Sequence, residues 1–208
     1  MIRTIFALVA CLSMTQAFAQ RNMRQIWIEM PDSLVEYLNA TKRTEMVDFY
    51  EMGVKAETSN LLATTTVLDS IADDYAHVTL NESAKMQLAL LKTSEGDLLI
   101  CMVRSFMGEA PESVVSFYDE KWHPRDVAKL MAKVEPSQLL SRPDTMDVER
   151  YNRLVRFFEP VMMTADYAPG RQELVWSLSM PLLTREEIMQ VKPIMLQRKL
   201  KWNGTTFN

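Results

Sequence analysis

The chain has 208 residues, 23 basic against 27 acidic, and a formal net charge of −4. The acidic balance excludes a nucleic-acid surface of the usual kind, which needs clustered Lys and Arg to neutralise phosphates. An apolar content of 48% excludes a disordered chain, and the length suffices for one large domain or two small ones.

In chain order, residues 1–19 come first. Arg3, an apolar run from Ile5 to Leu12 and the small-x-small ending Ala17-Phe18-Ala19 are the three parts of a cleavable export signal. The run is too short to span a bilayer, which takes about 20 apolar residues. An alternative reads Leu8-Val9-Ala10-Cys11 as a lipobox with Cys11 lipidated; the apolar and small residues after Cys11, in place of a polar tether, favour ordinary cleavage. Cleavage removes Cys11 and leaves Cys101, so a disulfide within the monomer is excluded. Cys101 sits in Leu98-Leu99-Ile100-Cys101-Met102-Val103 and reads as a small buried hydrophobe. The many methionines are scattered, which fits core filling better than copper(I) ligation.

Gln25–Met30 alternates and predicts a strand, followed by a short helix over Leu34–Leu38 and a helix over Arg43–Met52 stopped by Gly53. From Thr64 the texture is that of an antiparallel meander: strands over Thr64–Asp69, Ala76–Leu80, Lys85–Thr93, Asp97–Phe106 and Ser113–Trp122, with Gly96 in a tight turn. Leu98–Phe106 is apolar on both faces and is therefore central. Residues 124–146, with Pro136 and Pro143, form a linker region. Val148–Phe158 is an amphipathic helix; strands follow at Val161–Tyr167 and Glu173–Met180, then a capping box at Thr184–Glu187, a strand to Trp202 and an Asn203-Gly204 hairpin.

These elements predict an α+β fold of antiparallel sheets with helices packed on one face. Two tandem helix-plus-β-meander halves are expected, residues 20–123 and 147–208. Both meanders end in Lys-Trp, at Lys121-Trp122 and Lys201-Trp202. Trp27, Trp176 and Trp202 fall on one-sided strands and are the candidate binding residues. Lys192, Arg198, Lys199 and Lys201 read as charges guarding a solvated edge.

Chemistry is sparse. His77 and His123 have no Cys or acidic residue at zinc spacing, so no metal is expected. There is no P-loop, G-x-G-x-x-G or G-x-S-x-G, and no cofactor is expected. Adjacent acids at Asp73-Asp74 and Glu186-Glu187 leave acid–base hydrolysis open, because glycoside cleavage needs two carboxyls about 5–10 Å apart across a cleft.

Ile28-Glu29-Met30-Pro31-Asp32-Ser33-Leu34, Tyr37-Leu38, Arg43–Tyr50 and Leu200-Lys201-Trp202-Asn203-Gly204-Thr205-Thr206-Phe207 resemble a group of uncharacterised exported proteins of Bacteroidales, a domain of unknown function. The tandem α+β units are also similar to the β-lactamase-inhibitor-like architecture. The resemblance implies a Gram-negative envelope setting, periplasmic or outer-surface. Asp32-Ser33-Leu34, Asp69-Ser70-Ile71 and Asp144-Thr145-Met146 match the Asp-Ser/Thr-apolar O-glycosylation pattern of exported Bacteroidetes proteins, with Ser33, Ser70 and Thr145 as acceptors. The functional expectation is a non-enzymatic module that binds another envelope protein or a glycan. The alternatives are a glycan- or peptide-directed hydrolase using a carboxylate pair, and a small-molecule carrier between the two halves. No nucleic acid and no transmembrane segment after signal cleavage are expected.

Overall fold

The computed structural model describes residues 21–180 and 183–208, and the expected export signal lies outside the described residues. Asn22 sets the first element. Its side chain accepts a hydrogen bond from the Gln25 amide, and the Gln25 side chain accepts one from the Asn22 amide. This capping box opens helix α1 (Met23–Ile28) where alternation predicts a strand. The helix prevails because Met23, Ile26, Trp27 and Met30, spaced by three and four, all reach the interior.

A 3-10 turn, Asp32–Leu34, stands where a short helix is predicted, and α2 (Ala40–Glu51) follows and ends at Gly53 with a φ of 69°. Arg43, on α2, is fully buried. Its guanidinium donates to the carbonyls of Ile28, Met30 and Leu38 and lies 2.9 Å from an Asp32 carboxylate oxygen. One cation thus satisfies the carbonyls where α1 ends and the chain turns.

The meander is then continuous: β1 (Glu57–Ser59), β2 (Thr65–Ile71), β3 (Tyr75–Asn81), β4 (Ala84–Lys92), β5 (Leu98–Phe106), β6 (Glu112–Asp119) and β7 (Pro124–Arg125) form one antiparallel sheet in sequential order. The sequence reading misses β1 and β7, which are short edge strands. After α3 (Val127–Leu130) and a 3-10 turn at Pro136–Leu139 come α4 (Val148–Val155), β8 (Met163–Ala168), β9 (Glu173–Leu178), α5 (Arg185–Val191) and β10 (Arg198–Lys201). These last three strands form a second antiparallel sheet, order β10-β9-β8. Among the described residues the fold is α+β, with five α-helices and ten strands.

The helices α1 and α2 cover one face of the large sheet through a core that includes Trp27, Met46, Val78 and Met102. The small sheet, α4 and α5 cover the other face through Leu91, Phe117, Leu154 and Leu174. As predicted, β5 is central: Leu99, Cys101 and Val103 enter one core, Ile100 and Met102 the other. Burial pushes the Cys101 thiol pKa up, as befits a packing residue.

The small sheet packs with its edge strand β8 across the large one. Gln87 of β4 closes that edge. Its side-chain oxygen accepts from the Tyr167 amide at 2.9 Å, and its amide nitrogen donates to the Tyr167 carbonyl and, at 3.0 Å, to Asp166. A side chain does here what a neighbouring strand would do. At the opposite edge β10 exposes Arg198, Lys199 and Lys201, the basic edge expected from the sequence.

Candidate functional site

The turns at one end of the large sheet converge with the C-terminal hairpin. Trp202 donates its indole N–H to the Lys92 carbonyl at 2.9 Å, and the Ser94 amide donates to the Gly204 carbonyl at 2.8 Å. Between the β4–β5 turn, the β6–β7 turn and this hairpin lies a cleft of about 510 Å³. That size falls within the usual range for ligand sites, about 300–1,000 Å³. Leu98 and Leu99 form part of its wall, and Ser94, Asp97, His123 and Arg125 line it.

The cleft holds an oriented imidazole. His123 Nδ1 lies 3.0 Å from Asp119 Oδ2, while Asp119 Oδ1 accepts from the amides of Lys121 and His123. An ionised carboxylate can only accept, so Nδ1 carries the proton directed at Asp119 and Nε2 is turned away from it. Burial pushes the Asp119 carboxyl up. The hydrogen bonds from the His123 amide and ring and from the Lys121 amide outweigh it and hold the group below the ordinary carboxylate value.

The turn that presents His123 is strained. Trp122 has a φ of 67°, a left-handed conformation that a bulky side chain rarely adopts. Its ring is buried and packs against Tyr118 at 5.4 Å between centroids, which holds the residue in place. A second cleft of about 450 Å³ adjoins the first at Leu98 and carries Arg21, Asp73, Asp74, Lys92 and Gln172.

The three candidate tryptophans are all interior. Trp27 is enclosed in the helix-side core and donates to the Arg43 carbonyl at 3.3 Å; Trp176 belongs to the small-sheet core; Trp202 is buried against Phe207 at the cleft wall. Of the three, Trp202 lines the cleft. Lys121-Trp122 and Lys201-Trp202 also differ in place, since Trp122 enters the helix-side core and Trp202 the other. Ser33 and Thr145 are exposed, and Ser70 is half-buried at a bulge in β2. His77 lies on the polar face of β3, 3.6 Å from Asp69 and far in sequence from His123. Among the described residues no group of three His, Cys, Asp or Glu is placed to hold a metal, and no helix is long and apolar enough to cross a membrane.

The Asp119–His123 pair escapes a search by metal spacing. A sequence signal exists all the same: Asp at the end of a strand, four residues before a His that precedes Pro, is the spacing of one closed turn.

Residues 14–207 match DUF3256, a protein family of unknown function. The chain belongs to the DUF3256 family. No curated protein matches this DUF3256 chain. A solved structure, a domain of an uncharacterized protein from Porphyromonas gingivalis W83, shares its fold, with a TM-score of 0.72 and 14% identity. The alignment covers 88% of the DUF3256 chain and 96% of that domain.

Proposed function

We propose that this DUF3256 protein is a non-enzymatic binding module of the cell envelope, exported through residues 1–19. In this reading it holds a polar segment of an envelope protein or glycan in the loop-end cleft. The observation that carries it is the imidazole of His123, fixed by Asp119 on a strained turn and facing a 510 Å³ space. Strained backbone and convergent polar groups are characteristic of sites where the structure is over-determined for a task. Acids and bases line the same cleft, which suits a ligand that offers both donors and acceptors. The seam between the sheets is filled by side chains such as Cys101, Phe117, Leu154 and Trp176. The space for a ligand is therefore at the end of the seam, which weighs against a carrier enclosed between two halves.

Backbone amide NMR tests this reading, with short zwitterionic peptides and neutral oligosaccharides as probes. The expected result is shifts confined to Ser94, Asp97, His123, Arg125 and Thr205 for one probe class, abolished in His123→Ala. Absence of shifts at millimolar concentration of either class would defeat it.

A second reading, acid–base hydrolysis, is favoured by the carboxylates of Glu95, Asp97 and Glu120, which line the same cleft as His123. Release of product from peptide or oligosaccharide substrates, lost in His123→Ala, would select it over simple binding. O-glycosylation at Ser33, Ser70 and Thr145 and two units of the β-lactamase-inhibitor-like kind belong to the same proposal. Intact mass of protein recovered from its native host tests the former: a single unmodified mass would remove it.

A further inference from the structure

The small sheet ends on an open main-chain edge. Along β10 successive residues hydrogen-bond in opposite directions. Trp202 donates its amide to the Gln172 carbonyl, so Leu200 and Arg198, of the same parity, are turned to β9. Lys201 is turned outward, where its N–H and C=O exchange bonds with Asn208 at 2.9 and 3.2 Å. Lys199 is turned outward as well, and its N–H and C=O have no partner among the described residues; nor has the main chain of Gln197. Gln197, Arg198 and Lys199 are all exposed. Residues 206–208 thus close the edge beside Lys201 and Trp202 and leave the stretch 197–199 open.

Such an edge is complementary to an extended peptide, whose N–H and C=O groups alternate at the same spacing. The side chains decide which peptide. Arg198 shares a face with Leu200, whereas Lys199 and Lys201 lie on the other face, so positive charge borders the edge on both sides. None of the three makes an ion pair among the described residues. Residues 188–208 contain no acidic side chain. Of the neighbouring acids, Glu173 stands across from Lys201 on β9, on the side away from the open edge. Glu135, at the start of the turn whose Leu139 carbonyl meets the Leu196 amide, is taken by Lys133 at 2.7 Å.

The same charges exclude a second copy of this edge as the partner. Two β10 strands paired antiparallel set Lys and Arg against Lys and Arg, and like charges directly opposite destabilise a strand pair. A strand that carries carboxylates meets the reverse situation.

We propose that β10 is a docking edge for an acidic, extended segment of a partner protein, which adds to the small sheet as a fourth strand. The segment bonds through its main chain to Gln197 and Lys199 and sets carboxylates beside Arg198 and Lys199. None of these three residues lines the loop-end cleft, so the two sites are separate.

Backbone amide NMR of the purified protein tests this, with acetyl-Thr-Glu-Glu-Glu-Thr-amide as the probe. The peptide shifts the amides of Gln197, Arg198 and Lys199, slows exchange of the Lys199 amide, and leaves Ser94 and His123 in place. Each glutamate replaced by glutamine in the probe weakens binding about threefold, the scale of a cross-strand charge pair. Methylating alternate backbone nitrogens of the probe abolishes binding although its charge is kept. Lys199→Pro removes the outward donor, a change that an edge strand tolerates, and binding is lost. Arg198→Glu/Lys199→Glu alters two exposed positions, leaves the thermal transition in place, and transfers the preference to the lysine version of the probe. Absence of shifts up to about millimolar, the weak end of ordinary affinities, overturns the proposal. So does equal binding of the glutamine or N-methylated probe, binding that maps elsewhere, or a charge-reversed variant that still prefers the acidic peptide.

Discussion

The two ends of the seven-stranded sheet use one turn for opposite purposes. In the β1–β2 turn Asn60 takes the amides of residues two and four further on, and Ala63 is left-handed. In the β6–β7 turn Asp119 takes the amides of Lys121 and His123 in the same way, and Trp122 is left-handed. In both, the first residue's amide also donates to the carbonyl of the fifth. The β4–β5 turn, Thr93–Asp97, repeats the backbone bonds, with the Thr93 hydroxyl accepting from the Asp97 amide and Gly96 at the left-handed position. One backbone device therefore holds Leu61 and Leu62 in water at one end and an imidazole over a cleft at the other. What differs is the side chain that the turn displays.

The largest effect on this contrast comes from Trp122→Ala. It removes a buried ring and should destabilise by about 3 kcal/mol or more, read by urea denaturation. A loss below about 1 kcal/mol would show that the ring does not hold the cleft's turn. Next, Asn60→Ala should lose about 2 kcal/mol, since it removes a buried amide that bonds the Thr66 hydroxyl and the Leu80 carbonyl, against about 1 kcal/mol for the less buried Asp119→Ala. Equal losses would mean that the two turns are equally stiff.

The left-handed positions come third. Ala63→Gly should stabilise by up to about 1 kcal/mol, and Gly96→Ala should destabilise by a similar amount although open space surrounds it, because the cost is backbone conformation. Differential scanning calorimetry would show both, and effects of the same sign would break the equivalence of the turns. The smallest effect is on pH. The Asp119 carboxyl is held below its ordinary value, so its contribution is present above about pH 4 and is lost as pH falls through the lower folded value. Stability of the native protein and Asp119→Asn should therefore converge as acid is added; parallel curves would remove His123 and the amides as its partners.

Much of the fold was legible because periodicity reports burial. The double-sided run Leu98–Val103, the capping box at Thr184–Glu187 and the Asn203-Gly204 turn all carry local signals that the tertiary structure keeps. Gln25–Met30 misled because Ile26, Ile28 and Met30 alternate as well as spiral, and Asn22, outside the window, decides between the two. The turns show the same limit. Gly96 is visible as a left-handed residue because it is glycine, whereas Ala63 and Trp122 hide the same geometry behind side chains that rarely adopt it. Beyond the Asp119–His123 spacing, the candidate site was illegible for that reason, and because its third wall comes from Trp202 and Gly204, more than 80 residues downstream of Asp119.

The central strand β5 has a consequence for how the molecule comes apart. Its odd-numbered residues from Leu99 to Val103 serve one core and its even-numbered ones, Ile100 and Met102, the other. Neither layer can be peeled away without exposing a strand that the other layer needs. The two layers should melt in one cooperative transition, with the β5 amides the last to exchange with deuterated solvent and the edge strands β1, β7 and β10 the first.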